Sequence, residues 1–248
     1  DFTLPEATVV IPAGASGASL DLSLAGGALY EGPETVELQL QSAVGADADP
    51  GASTSVLTIA DDDAAPAVAF TVGSSSAGEG VVDPQVIEVS LSEVSGLPAT
   101  VEFTVTGDAT EGVDYALGSA SPLVIAAGET SAQIPITVLD DALDEADESV
   151  TLTLGAATDA TVGAVSSHVL TIVDDDATPT VGFDQAALTE FESGAPVTVT
   201  VSLSAASGRY VTVPFTVTGT AADGADFALS SASPLVFTAG ETATALTF

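Results

Sequence analysis

The sequence predicts an all-β chain of tandem antiparallel β-sandwiches that follow one another end to end. Three observations support this prediction. Long stretches recur at a domain-sized interval, and apolar and polar residues alternate with a period of two inside each copy. No stretch of the 248 residues carries the apolar pattern of a helix.

The repeat is clearest in a stretch of fifteen residues that occurs twice. VLTIADDDAAPAVAF (56–70) and VLTIVDDDATPTVGF (169–183) are identical at eleven positions, with a shift of 113 residues. This period exceeds the roughly 20–50 residues of solenoid repeats, so it predicts whole domains. We expect the C-terminal part of one unit at 1–63, a complete unit at 64–176 and the N-terminal part of a third at 177–248.

Short alternating runs fill each unit. Examples are VIEVSL (86–91), TVEFTV (100–105) and VTLTL (150–154), separated by turns rich in Gly, Asp, Pro and Ser. We count about seven such runs in the complete unit, which is typical of an immunoglobulin-like sandwich. Because the loops of a sandwich collect at its two poles, residues distant in sequence can meet there.

The charge is almost entirely of one sign. Thirty-six acidic residues accompany a single Arg209 and no Lys, which gives a net charge of −35. Nucleic acids and anionic membranes are excluded as partners, because both are bound through basic residues. Divalent cations are the expected partners. Acid carried for solubility remains an alternative for the scattered acids, but it does not explain acids that come in runs.

Targeting and redox features are sparse. The chain has no Cys and therefore no disulfides. No apolar stretch reaches the roughly 20 residues of a membrane-spanning helix, so membrane insertion is not expected. Because Asp1 is not a translational start, we expect the sequence to be a window on a longer chain or a processed product.

Acids of the complete unit gather in loops at strand ends. The clearest groups are Asp174–Asp176, after the last strand, and the loop DDALDEADES (140–149). Adjacent like charges cost roughly 1 kcal/mol per pair at 4 Å even in water, and a cation offsets that cost. Ca²⁺ takes 6–8 oxygen ligands at about 2.3–2.6 Å, whereas Mg²⁺ retains its waters. Zinc is not favoured, because it prefers Cys and His ligands and the chain has no Cys and a single His, His168. For single acids such as Asp114 and Glu79, a role in forming the turn stays an open alternative.

The order of these motifs resembles the Calx-beta domain family. The motifs are EGVDY (111–115), a Gly-Glu-Thr turn (128–130), DDALDEADES and VLTIVDDD (169–176). The resemblance covers essentially the whole chain and implies immunoglobulin-like repeats whose loop acids hold Ca²⁺ at one pole, next to the following domain. The ligands it implies in the complete unit are Glu79, Asp114, Asp140, Asp141, Glu145, Glu148, Asp174, Asp175 and Asp176.

The other two copies depart from this pattern. Gly26 and Gly27 stand in the first unit where the second has Asp140 and Asp141. Acids remain in the first unit at Glu31, Glu34, Asp61, Asp62 and Asp63. The resemblance therefore implies a first site that is weaker or binds fewer ions. In the third unit, Glu192 and Asp226 match the pattern.

Enzymatic chemistries are poorly supported. Paired carboxylates hydrolyse glycosides when roughly 5–9.5 Å apart, but the chain has no Trp and its three Tyr are scattered. No GxSxG motif occurs, and one His leaves little for a triad. We expect that the chain is not an enzyme, that His168 is a surface or edge residue, and that Arg209 forms a local ion pair.

The expected function is structural. The chain is interpreted as a calcium-binding segment of a long extracellular surface protein, such as a bacterial adhesin stalk or filament, with Ca²⁺ at each joint stiffening the array. A calcium-sensing regulatory module is one alternative. Another is a fibre subunit that adds its strands to other copies of itself. The expected partners are calcium ions, adjacent repeats and, in the last case, further copies of the chain.

Overall fold

All of the regular structure in the described residues is β-strand. The computed structural model describes residues 2–4, 8–41, 43–191 and 195–248. No helix able to span a lipid bilayer occurs in these ranges. The first unit contains β1 (Phe2–Thr3), β2 (Ser23–Leu24), β3 (Glu34–Gln39) and β4 (Thr54–Ile59). The complete unit contains β5 (Ala67–Phe70), β6 (Ser74–Gly78), β7 (Gln85–Leu91), β8 (Ala99–Gly107), β9 (Tyr115–Leu117), β10 (Leu123–Ile125), β11 (Ser131–Val138), β12 (Glu148–Thr158), β13 (Thr161–Val162) and β14 (Ser167–Val173). The third contains β15 (Val181–Phe183), β16 (Thr198–Leu203), β17 (Val211–Val213), β18 (Leu235–Phe237) and β19 (Ala243–Thr247).

The complete unit is a sandwich of two five-stranded sheets. Their strand orders are β10-β8-β12-β14-β6 and β13-β5-β7-β11-β9. The alternation seen in the sequence becomes alternating burial: on β7, Ile87, Val89 and Leu91 are buried and Glu88 is exposed. Buried residues of both sheets form one hydrophobic cluster. The predicted all-β sandwich is therefore confirmed.

The first strand of this unit is divided between the two sheets. β5 lies beside β13 and β7, whereas β6 lies beside β14 in the other sheet. β5–β13 and β6–β14 are parallel pairs, and the remaining strand pairs are antiparallel. This division, with the short strands β9, β10 and β13, explains why the unit has more strands than the alternating runs predict.

The flanking units repeat parts of this arrangement. The β3–β4 hairpin pairs Glu34 with Ile59, as β12–β14 pairs Glu148 with Ile172. The third unit has sheets β15-β16-β19 and β17-β18. These enclose a small core of Val201, Leu203, Leu235, Phe237 and Leu246. The unit boundaries after residues 63 and 176 stay a prediction.

His168 is buried, and the expectation of a surface or edge position was wrong. It is 1% exposed, because β6 covers β14 and leaves it inside its sheet. The His168 Nδ1 lies 2.8 Å from the Val72 carbonyl, to which it donates, and Nε2 lies 2.9 Å from the Ser75 hydroxyl. Its ring also packs against Phe70, with centroids 5.8 Å apart. His168 is thus a hydrogen-bonded core residue.

Replacing Gly107 by Ala should destabilise the complete unit. Gly107 ends β8 with a φ of 144°, a conformation that residues with a side chain rarely adopt. An added Cβ would overlap the carbonyl of Ser149 on β12. We expect the free energy of unfolding, measured by urea denaturation, to fall by about 2 kcal/mol or more.

The matched control is Gly219→Ala, at the same position of the third unit. Gly219 has a φ of 157°, but no described heavy atom lies within 4 Å of an added Cβ. Its unit should lose clearly less stability. Equal losses at the two positions would contradict the role of close approach at Gly107.

Candidate metal centre

The parallel pairing of β6 with β14 brings the first two acidic segments together. Gly78 pairs with Val173 at the ends of these strands. Glu79 therefore follows β6 at the place where Asp174 follows β14, and the Glu79 amide donates to the Val173 carbonyl at 3.2 Å. The first acid of the unit thus lies beside the last three.

The remaining acids reach the same pole through antiparallel pairs. Tyr115 of β9 pairs with Val138 of β11, and the Leu139 amide donates to the Asp114 carbonyl at 2.9 Å. Asp114 therefore lies next to the start of the 140–148 loop. The end of that loop is placed by Glu148, which pairs with Ile172 of β14.

Two overlapping groups of carboxylates have the spacing of a metal site. Oxygens of Glu79, Asp141 and Asp176 lie within 4.8 Å of one another, and so do oxygens of Glu79, Asp140 and Asp175. Ligands that surround Ca²⁺ at about 2.3–2.6 Å lie at most about 5 Å apart, so both groups fit this ion. Glu79 belongs to both groups, so it is common to every group of acids with metal spacing among the described residues.

Several oxygens at this pole are buried without a hydrogen-bond partner. They are Glu79 Oε2, Asp174 Oδ1 and Asp176 Oδ2, judged among the described residues. Glu79 is only 8% exposed. A buried carboxylate oxygen without a partner is costly, and a bound cation removes that cost. This observation, beyond the clustering itself, fits the residues to a hard metal ion.

Burial, together with crowding by like charges, raises the pKa of several of these carboxyl groups. Burial raises the pKa of Glu79 to about 7, and the charges of Asp141 and Asp174 add to the effect. The pKa of Glu148 is also raised to about 7, first by burial and then by its hydrogen bond with Asp114. Burial, with neighbouring acids, likewise raises the pKa of Glu145 and Asp176.

Two of the predicted ligands also shape their own loops. Asp114 Oδ2 accepts a hydrogen bond from the Thr110 amide, and Asp141 Oδ1 accepts one from the Leu143 amide at 2.7 Å. Asp226 makes the same bond as Asp114, to the Ala222 amide at 2.8 Å, in the third unit. Turn formation, the alternative raised for Asp114, is therefore observed. It occupies one oxygen of each carboxylate. Glu192 lies outside the described residues.

The acids of the first unit are less gathered. Asp61 Oδ2 accepts a hydrogen bond from the Glu31 amide at 3.1 Å, and Asp61 Oδ1 accepts one from the Asp63 amide at 3.3 Å. Glu34, at the start of β3, and Asp62 are exposed. Within the described ranges, no group of three acids at metal spacing falls in this unit. The weaker first site stays a prediction, with this geometry in its favour.

Two residues at the pole were not expected from the sequence. Asp108 Oδ1 accepts from the Ser149 amide at 2.7 Å and from its hydroxyl, which lowers the pKa of Asp108. Gly80 lets the chain pass close to Asp175, whose Oδ2 would lie 2.7 Å from an added Cβ. The sequence did offer a reason to expect Gly80 at the site, because it directly follows the predicted ligand Glu79.

Arg209 pairs across the joint between units. The expected local ion pair was wrong in this respect: its partner is Asp144, in the preceding unit. Asp144 lies in the acidic loop but accepts hydrogen bonds from Arg209, Ser207 and Thr178, which lower its pKa. It therefore differs from its neighbour Glu145, whose pKa is raised.

Comparisons with known proteins agree with these features. The Calx-beta domain model matches residues 61–176 and 174–247. No curated protein sequence matches the chain. Calx-beta domains bind Ca²⁺, and the two sets of three acids described above have the spacing to hold this ion.

Three solved structures are among those similar to the chain. The apo-form Calx CBD1 domain is 23% identical with a TM-score of 0.41, covering 45% of this chain and 98% of that one. The calcium binding domain CBD12 of CALX1.1 is 21% identical with a TM-score of 0.41, covering 73% and 74%. The E. coli chaperone DraB is 8% identical with a TM-score of 0.31, covering 73% and 86%. These scores are low, so the similarities do not indicate function.

The calcium-free protein should be more stable at about pH 5.5 than at about pH 8. The pKa of Glu79 is about 7 in the folded chain against an ordinary value of 4.5, so the folded state holds more protons between these values. Stability therefore falls as the pH rises through this window. Thermal unfolding of chelator-treated, dialysed protein should show a melting temperature several degrees higher at the lower pH.

The variant that checks this assignment is Glu79→Gln, which should reduce the pH dependence to the part that Glu148 and the other raised carboxyl groups contribute. Glu102→Gln, at an exposed position of β8, is the matched control and should keep the wild-type slope. A Glu79→Gln protein with an unchanged slope would refute the role of Glu79.

Proposed function

The chain belongs to the Calx-beta domain family, and on this premise we propose that it is a calcium-binding structural segment of a long extracellular surface protein, such as an adhesin stalk or filament. Ca²⁺ at the pole of the complete unit neutralises its acids and stiffens the joint to the next unit. We propose no catalytic activity for the chain.

The main support is the set of buried, unpartnered oxygens on Glu79, Asp174 and Asp176. Solubility requires exposed acids, and turn formation satisfies the acids that it uses. Neither explains a carboxylate that is 8% exposed and shares its surroundings with like charges. A multivalent cation explains both the burial and the crowding.

The proposed ligands are nine of the acids of the complete unit, those that the family resemblance implies. Glu79 bridges two ion positions, one with Asp141 and Asp176 and the other with Asp140 and Asp175. Asp174 and Glu145 lie close enough to raise the pKa of Glu79, and Asp114 lies close enough to raise the pKa of Glu145 and Glu148, so these four acids complete the proposed set. Backbone carbonyls and water would complete the 6–8 ligands of each Ca²⁺.

The location of the site favours a role at the joint. Only Ala177, Thr178 and two further residues separate Asp176 from β15. The side chain of Glu145 lies directly against Gly208 of the third unit. An ion bound here therefore lies beside the contact between units, where it can restrict their relative motion.

A calcium sensor is the alternative function, and the two differ in their calcium-free state. A sensor changes between two defined inter-unit arrangements, whereas a stalk passes from a stiff to a loose joint. The width of the inter-unit distance distribution without Ca²⁺ distinguishes these outcomes.

The two tri-Asp runs should contribute unequally to calcium binding. Asp176→Asn removes a ligand from the crowded pole and should weaken binding about tenfold or more, since affinity depends on ligand charge. Asp63→Asn, at the equivalent position of the first unit, is the matched control and should change it far less. Calorimetric titration of both variants measures this, and equal effects would contradict the proposed site.

Removing Ca²⁺ should destabilise the complete unit and loosen the joint. Saturation at about 1,000 times the dissociation constant stabilises the bound state by about 4 kcal/mol. Chelation should therefore lower the melting temperature by more than about 10 °C and increase the flexibility seen in small-angle scattering. Adding Mg²⁺ in place of Ca²⁺ should restore little of the lost melting temperature or of the stiffness of the joint. Melting and scattering curves that do not respond to chelator would exclude the proposal.

A further inference from the structure

Two residues at equivalent repeat positions, Tyr30 and Asp144, each contact the unit that follows. The Tyr30 carbonyl accepts hydrogen bonds from the Gly96 amide at 2.8 Å and the Ser95 hydroxyl at 3.4 Å. The Asp144 carbonyl accepts the same pair, from the Gly208 amide at 3.1 Å and the Ser207 hydroxyl at 3.0 Å. The same docking geometry thus occurs at both joints.

The Ser-Gly pair that receives this residue is built into each following unit. Ser95 and Ser207 are both buried, and their carbonyls accept hydrogen bonds from Gly128 and Gly240 at 2.8 Å. Glycine is required beside each serine because of the close approach of the preceding unit. An added Cβ would lie 3.0 Å from the Glu31 Cβ at Gly96, and would overlap Glu145 at Gly208.

The side chain of Asp144 is fully engaged at the second joint. Its Oδ1 accepts from the Thr178 hydroxyl at 3.1 Å and from the Arg209 guanidinium. Its Oδ2 lies 2.9 Å from the Ser207 hydroxyl, whose single hydrogen it shares with the Asp144 carbonyl. Asp144 is 4% exposed. Arg209 is the one Lys or Arg of the chain. The charge of Asp144 is therefore balanced by protein, unlike the charges of the calcium-site acids around it.

We propose that Asp144 is a docking residue, and that with Ser207, Arg209 and Thr178 it forms a calcium-independent clasp between the complete unit and the third unit. The clasp needs no metal, because the Arg209 guanidinium balances the charge of Asp144 and both carboxylate oxygens already face protein donors. Calcium and the clasp thus restrain the same joint separately, and the clasp holds whether or not the ion binds.

The first joint uses the same backbone contacts with different side chains. Leu97 stands at the position of Arg209, and the Tyr30 hydroxyl lies 3.5 Å from Asp159 of the complete unit. The ion pair is therefore a feature of the second joint alone. The partner surface of each clasp is the Ser-Gly loop of the following repeat.

The clasp can be tested by distance measurements on the full chain. Because the chain has no Cys, Val124→Cys and Val236→Cys, exposed on β10 and β18, place one spin label in each of the two units. In excess chelator, Asp144→Ala should broaden the inter-label distance distribution beyond that of the otherwise unsubstituted protein. Arg209→Gln should broaden the distribution as well. Because the Arg209 side chain is 49% exposed, this substitution should not impair folding.

The matched control is Asp147→Ala, at an exposed acid of the same loop that forms no hydrogen bond or ion pair with the third unit among the described residues. It should leave the distribution unchanged. Two results would refute the clasp. One is that, in chelator, the distance distributions of Asp144→Ala and Arg209→Gln are no broader than that of the unsubstituted protein. The other is that Asp147→Ala broadens the distribution equally. A calcium-insensitive distribution in the unsubstituted protein would instead count against the stiffening role of Ca²⁺ and leave the clasp standing.

Discussion

Crowding of like charges at one pole is the constraint on which the other features of this chain depend. The strand pairings bring nine carboxylates to the same end of the complete unit. Three of their oxygens are then buried without a partner. Burial raises the pKa of Glu79 and of Glu148 to about 7, and the neighbouring acids add to this effect. The fold thus brings together carboxylates that repel one another, and a bound divalent ion would offset that repulsion.

Much of the fold and part of the site could be predicted from the sequence. The period-two alternation and the domain-sized repeat indicate the sandwiches, and the acid runs indicate which loops carry the charge. The meeting of Glu79 with Asp174–Asp176 could not be derived from spacing, because it depends on the parallel pairing of β6 with β14 across nearly a whole unit. The burial of His168 has the same cause, since β6 covers the strand that a local pattern leaves at an edge.

Neighbouring acids of one loop have opposite environments. Asp144 is neutralised by Arg209, which lies 65 residues further along the chain, whereas Glu145 faces other carboxylates. Residue type and local sequence do not separate the two, because the distinction comes from the following unit. The same is true of Gly208, whose lack of a side chain matters only where Glu145 approaches it.

The parallel pairing of the first and last strands also determines how the complete unit bears tension. The chain enters β6 at Ser74 and leaves β14 at Val173, and the two strands are joined over five residue pairs. A pull on the two ends of the unit drives these strands in opposite directions along their length. The inter-strand hydrogen bonds are then loaded together in shear, instead of opening one at a time as in a hairpin pulled from its open end. A unit connected in this way resists extension along the axis on which its neighbours would pull.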